Sequence, residues 1–310
     1  MNNNIKFSVT VPAYKAQFLK ECIDSILAQT YQNFELIIVN DASPQDLDSI
    51  VAQYHDPRIR YYKNKVGFGA EHVVGNWNKC LEYATGDYLI CMGDDDKLLP
   101  NCLEEYVKLI EKYPDSNVYH ARTQIIDKND NINSVQEGRP LSESVLSAIW
   151  HRLAGRRQYI GDWLFKVIAL RDLGGFYSLP YAWGSDDMSA YYTAGNKPII
   201  NMQKYGFQYR VNIHTISNDT SSVGAKILSN YKQYCLIGSL IEKPRKNWED
   251  EVYCQMIKQE LWNNYNKAIS RVLSLDIRHN PFHFIKWFLK ATKYHLNYKI
   301  LLKALIYSIS

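Results

Sequence analysis

Between Phe7 and Met92 short apolar runs alternate with amphipathic stretches, a pattern that restricts the chain to an α/β fold with a mostly parallel sheet and helical crossovers. Phe7-Ser8-Val9-Thr10-Val11 reads as a strand stopped by Pro12. From Lys15 to Gln29, residues Phe18, Leu19, Cys22, Ile23, Ile26 and Leu27 recur at the spacing of one buried helical face. Phe34 to Val39 forms a second strand, ended by Asn40-Asp41. A short helix near Leu47 to Tyr54 leads to an edge-type strand from Arg58 to Lys63. A helix from Glu71 to Ala84 then turns at Gly86 into the apolar run Tyr88-Leu89-Ile90-Cys91-Met92.

That run opens into Asp94-Asp95-Asp96, and three carboxylates leaving a buried strand repel one another and raise each other's pKa. A hard divalent cation, Mg²⁺ or Mn²⁺, relieves that repulsion through oxygen ligands. The same residues can instead start a helix, with Asp94 or Asp96 as its cap. Position favours function. Pro12-Ala13-Tyr14, Asn40-Asp41 and the Asp cluster each sit at the carboxyl end of a strand, the edge along which open α/β sheets bind ligands. Acidic residues converging there make a candidate site for a nucleotide diphosphate with its metal.

Further along, a helix is expected from Asn101 to Tyr113, a hairpin around Asn129-Asp130-Asn131, a helix near Ser142 to Leu153 and a strand from Trp163 to Leu170. Asp186-Asp187 opens another helix, followed by strands from Pro198 to Met202 and Phe207 to Val211. Beyond Ile216 the chain reads as helical and aromatic, which places a boundary between a domain of residues 1–215 and a helical extension of 216–310. A chain of 310 residues, 46% hydrophobic, can bury such a core. The six cysteines show no metal-ligand spacing and fall mostly at apolar positions, so free thiols in a reducing compartment are expected. Without a secretory leader or a bilayer-length apolar run, a cytoplasmic location is expected.

The chain resembles a family 2 glycosyltransferase of the GT-A fold, and the matching pieces come in the family's order. They are Val9-Thr10-Val11-Pro12-Ala13-Tyr14, Ser25 to Tyr31, Glu35 to Ser43, Ala84-Thr85-Gly86-Asp87 leading to Gly93-Asp94-Asp95-Asp96, Leu173-Gly174-Gly175-Phe176, Asp186-Asp187, and Gln208-Tyr209-Arg210 with His214. The resemblance covers Phe7 to His214 and leaves the tail uncovered. It implies an inverting, nucleotide-sugar-dependent transfer. By it, Asp41 holds the base with Pro12, Ala13 and Tyr14, Asp94 faces the ribose or sugar, and Asp95 ligates the metal, with Asp96 beside it as a second ligand or a helix cap.

Arg210 or His214 would steady the leaving diphosphate or serve only to cap carbonyls. Asp187, with Asp186 second, would take the acceptor's proton. Trp183 offers an apolar face to an acceptor sugar or else packs in a core. Departures from the family pattern are Gly93 in place of the first acid of the DxD motif, Asp186 where Glu is commoner, and Trp77-Asn78 where Arg-Asn is usual. No QxxRW motif is present, which speaks against a processive polymerase.

The expected partners are a nucleotide-sugar donor and a glycan or polyprenyl-diphosphate-linked acceptor, with no nucleic acid. Residues 281–310 interleave aromatic and aliphatic side chains with lysines, a composition suited to peripheral membrane contact or to a lid or homo-oligomer contact. A sugar nucleotidyltransferase would share the metal logic but needs a glycine-rich phosphate loop after the first strand, and Val11-Pro12-Ala13-Tyr14-Lys15 is not one. A non-catalytic glycan-binding protein on the same fold is the remaining alternative. A glycoside hydrolase has no need of acids at two adjacent strand ends.

Overall fold

The computed structural model describes residues 4–211, 222–245 and 247–309. Strands and helices follow in the order β1 (Phe7–Ala13), α1 (Leu19–Leu27), β2 (Phe34–Asn40), α2 (Asp48–Val51), β3 (Ile59–Lys63), α3 (Val73–Tyr83), β4 (Tyr88–Cys91), β5 (Lys97–Leu98) and α4 (Cys102–Lys112). Then come β6 (Val118–Ile126), β7 (Ile132–Val135), β8 (Ser142–Glu143), α5 (Val145–Leu153), β9 (Trp163–Lys166), α6 (Val167–Asp172), α7 (Ser185–Ala194) and β10 (Ile199–Arg210). The helices α8 (Val223–Ile241), α9 (Trp248–His279), α10 (His283–Leu289) and α11 (Tyr298–Ile309) complete the order.

The sheet runs β3-β2-β1-β4-β9-β6-β10-β5, with β7 beside β6 and β8 beside β10. β1 pairs in parallel with β2 and β4, β2 with β3, and β6 with β10, while β9 and β5 run antiparallel to their neighbours. β1, β2 and β4 are buried along almost their whole length, which explains why they read as continuous apolar runs rather than alternating ones. α1 buries Leu19, Cys22, Ile23 and Ile26 in the same core.

A buried carboxylate fastens the amino ends of these strands. Glu35 accepts from Ser8 Oγ, Thr85 N and Arg60 Nη1 at 2.6–2.7 Å. That leaves their carboxyl ends as the open edge.

The structure departs from the expected elements at three places. The strand expected from Trp163 to Leu170 stops at Lys166. There Val167 N donates to Asp87 O at 2.9 Å, and Val167 and Leu170, one helical turn apart, are buried together on α6. The helix expected from Ser142 starts at Val145, because Ser142 and Glu143 pair with β10. The two strands expected after Pro198 are one strand, β10, with register shifts between Asn201 and Phe207 where Gln203 and Lys204 stand exposed.

Two compact units result. The first comprises Met1–Val145, Arg156–Ser178 and Ser185–Asn212, and the second Leu146–Gly155, Leu179–Gly184 and Ile213–Ser310. The second unit thus takes in two earlier segments besides the tail. Its core joins Ile227 of α8, Ile269 and Leu273 of α9, Trp287 of α10 and Ile300 of α11. Among the described residues no helix is long and apolar enough to cross a membrane.

Candidate active site

The carboxyl ends of β1, β2 and β4 are joined residue by residue. Asp41 N donates to Ala13 O at 2.9 Å, and Tyr14 N and Lys15 N both donate to Asp94 Oδ2 at 2.6 Å. Asp41 and Asp94 are therefore fastened to consecutive residues, Ala13 and Tyr14. Burial, followed by the neighbouring Asp95 charge, pushes the Asp94 carboxyl up to about 6 despite those two N–H donors. Pro12 and Ala13 lie at the end of β1, and the Tyr14 ring is 47% exposed at the edge.

Asp96 is buried, and burial followed by the Asp95 charge raises its pKa. Its Oδ1 accepts from Arg210 N at 3.0 Å. The carboxylate is also steadied by the Gly93 backbone, beside which its Oδ2 lies. Asp95 has Lys15 Nζ 3.7 Å from its Oδ2 and leaves Oδ1 without a donor among the described residues. A Cβ at residue 93 would meet Asp96 Oδ2 at 2.9 Å and Asp95 Oδ1 at 3.0 Å, so Gly93 keeps a small space open onto which two carboxylate oxygens converge.

That space suits a hard cation. No group of three or more His, Cys, Asp or Glu among the described residues is arranged to ligate a metal. Two carboxylates completed by phosphate and water oxygens are nonetheless the ordinary Mg²⁺ arrangement.

Arg210 is used on the protein itself. Its buried guanidinium donates to Asp95 O at 2.8 Å, Asp127 O at 3.0 Å and Glu21 Oε2 at 2.9 Å, pairs with Asp130 at 2.8 Å, and lies 4.2 Å from the Phe18 ring centroid. These bonds cap carbonyls and hold the Asp loop. His214 lies outside the described residues.

The Asp41 carboxylate gathers the segment after β3: Oδ1 accepts from Asn64 Nδ2 at 3.0 Å and Phe68 N at 2.9 Å, and Oδ2 from Gly69 N at 3.1 Å. A Cβ at Gly67 would fall 2.4 Å from Asp41 O, so this close turn requires glycine. Farther along, Asn78 binds both the N–H and the carbonyl of Phe176, and Gly174 and Gly175 take positive φ beside it. The glycine pair is thus a turn seated on α3, and Asn78 is its clasp.

Asp186 and Asp187 open α7, Asp186 half-buried and Asp187 buried. Gln158 Nε2 donates to Asp187 Oδ1 and to Tyr191 Oη, while Gln158 Oε1 accepts from Arg139 Nη2 at 3.3 Å. Tyr209 feels the charges of Asp95, Asp96 and Asp186. Its phenol is pushed up first by burial and then by Asp96, Tyr159, Asp95 and Asp186, and its ring stacks on Tyr159 at 3.7 Å. Sequence reasoning missed Gln158 and Lys15 and gave Tyr209 no role of its own. Trp183 belongs to the second unit, where Gln233 donates to its carbonyl at 2.9 Å and the Lys226 ammonium lies 5.1 Å from its ring centroid.

A GT-A fold with acidic groups along the carboxyl edge of its sheet defines the class. The sequence model "Glycosyl transferase family 2" matches residues 8–169, more than half of the chain, and the chain belongs to that family. EpsE of Bacillus subtilis (strain 168), a glycosyltransferase by name, is 35% identical over 132 residues, 41% of this chain and 46% of EpsE. The chain thus spans about half the length of that relative.

WfgD of Escherichia coli, named a UDP-Glc:alpha-D-GlcNAc-diphosphoundecaprenol beta-1,3-glucosyltransferase, is 25% identical over 244 residues, 76% of this chain and 87% of WfgD. Residues 1–349 of S. aureus TarS, solved in complex with UDP-GlcNAc, share the fold with a TM-score of 0.67 at 16% identity, over 99% of this chain and 91% of that one.

Proposed function

We propose that this chain is a metal-dependent, inverting glycosyltransferase that moves a sugar from a UDP-linked donor to a hydroxyl of a glycan or polyprenyl-diphosphate-linked acceptor, in cell-surface polysaccharide synthesis. The observation that carries this reading is the fastening of Asp41 and Asp94 to Ala13 and Tyr14, which lines acidic groups along the edge of three adjacent strands. The UDP donor and the lipid-linked acceptor are supported by what the names of WfgD and TarS say of those proteins.

In this reading Asp41 Oδ2, with a lone pair beyond its bond from Gly69, accepts an N–H of the base, and the Tyr14 ring lies against it. Asp94 spends Oδ2 on two backbone donors and turns Oδ1 to a ribose or sugar hydroxyl. Asp95 Oδ1 and Asp96 Oδ2 would hold Mn²⁺ or Mg²⁺, which when bound neutralises the diphosphate and the charge it gains on leaving. Asp187, oriented by Gln158, takes the proton from the acceptor hydroxyl as that oxygen attacks the anomeric carbon opposite the departing diphosphate. Asp186 is the second candidate for the base. Trp183 is a candidate for acceptor stacking on its sequence position alone.

Thermal shift with a panel of nucleotide sugars, with and without Mn²⁺, tests the donor half of the proposal. A UDP-sugar is expected to raise Tm in a concentration-dependent way, more strongly with Mn²⁺. A flat response to every nucleotide sugar overturns it.

A further inference from the structure

We propose that the segment from Phe282 to Ile309 docks on an anionic membrane surface, lying in the plane of the interface. α11 buries Ile300, Leu301 and Ala304 in the core of the second unit. It nevertheless leaves Tyr298, Leu302, Ile306 and Ile309 exposed at i, i+4, i+8 and i+11, a single stripe along its outer side. At α10 the same doubling occurs: Trp287 is buried, while Phe282, Ile285, Phe288 and Leu289 are exposed, Phe282 by 79% and Leu289 by 78%. Isolated exposed apolar side chains are ordinary on any protein surface. Exposed apolar side chains gathered on two consecutive helices mark a surface that something covers.

The charges of the segment select what covers it. After Asp276 the sequence has no acid, whereas Lys286, Lys290, Lys293, Lys299 and Lys303 are spread between the apolar residues. Lys286 lies 3.8 Å from Asp276, and the other four make no ion pair among the described residues. Lys293 and Lys303 lie 5.5 and 5.7 Å from the ring centroids of Tyr294 and Tyr307, their stems along apolar surface. A second copy docked on this face would set lysine against lysine. Anionic lipid headgroups neutralise those charges while the acyl boundary accepts the exposed apolar side chains. No described helix is long and apolar enough to cross a membrane, so the contact is peripheral.

Flotation of the purified full chain with vesicles, in the absence of any sugar donor, tests this independently of the proposed reaction. The chain is expected to float with vesicles containing phosphatidylglycerol, at least tenfold less with phosphatidylcholine alone, and to be released by high salt. Phe288→Ser with Leu289→Ser should weaken binding by roughly tenfold or more. Lys290→Gln with Lys293→Gln should weaken it by on the order of fivefold per lysine. Should the serine pair lower Tm, the lysine pair, both of whose side chains are exposed, still decides the outcome. Equal binding to neutral and anionic vesicles, or none, overturns the proposal. So does a concentration-dependent dimer that the serine pair abolishes, which would assign the face to a second copy.

Discussion

Gln158 presents its amide nitrogen to the carboxylate of Asp187, and both side chains are buried. The same nitrogen reaches Tyr191, and the amide oxygen is held by Arg139, so the glutamine has a fixed orientation and passes it to the acid. Gln158→Leu is therefore expected to lower kcat by about 100-fold, the effect of misplacing a reacting group by an ångström, with little change in donor KM. Steady-state kinetics read the split. An equal loss in donor binding would place Gln158 in the donor pocket instead.

Asp95 and Asp96 turn one oxygen each towards the space beside Gly93. Asp95→Asn should weaken donor binding tenfold or more when Mn²⁺ is present and much less when it is absent, since in the proposed reading the lost charge belongs to a metal ligand. Calorimetric titration with and without Mn²⁺ measures both. Gly93→Ala should act in the same direction, because its Cβ would stand 2.9 and 3.0 Å from the two oxygens.

Arg210 joins the Asp loop to the β6–β7 hairpin and to α1 through four partners at 3.0 Å or less. Lysine carries the charge but not the fork. Arg210→Lys is expected to cost about 1–3 kcal/mol of folding stability, because the carbonyls of Asp95 and Asp127 lose donors while the half-exposed Glu21 and Asp130 carboxylates return to water. Urea denaturation checks this, and a loss of donor affinity should accompany it.

Glu35 supplies a dependence of stability on pH. Burial pushes its carboxyl up, but hydrogen bonds from Ser8, Thr85 and Arg60 prevail and hold it at about 2, below its ordinary 4.5. Because the folded value is the lower one, the stabilisation is complete above the unfolded value and is lost as pH falls from about 4.5 to about 2. Its size is at most about 3 kcal/mol. Glu35→Gln should therefore lower Tm clearly at pH 7, with the difference from the native chain shrinking as the solution is acidified through that window.

The parts of the fold legible in the sequence are those with a local cause. β1, β2 and β4 are buried on both faces, so their apolar runs are continuous, and the acids that follow them stand out at once. Elsewhere distant partners decide. Val167-Ile168 looks like more strand, yet the helix wins because Val167 N is taken by Asp87 O and Arg171 caps the carbonyls of Leu81 and Ala84. The sequence leaves Arg210 open between a diphosphate contact and a carbonyl cap, because Glu21, Asp95, Asp127 and Asp130 come round it from three other segments. Gln158 gives no signal in sequence, since a lone glutamine between loops acquires its meaning only from Asp187 and Arg139.

The central claim, that this acidic edge transfers a sugar with Asp187 as the base, is tested most directly by UDP release from a UDP-sugar with Mn²⁺ and a diphospho-GlcNAc lipid acceptor. The native chain is compared with Asp187→Asn, and donor affinity is measured on the same samples. The expected result is donor affinity within about threefold of native and turnover reduced by 10² to 10⁴, the range for a lost general base. Turnover close to native in Asp187→Asn, or no UDP release by the native chain with any UDP-sugar, contradicts the account.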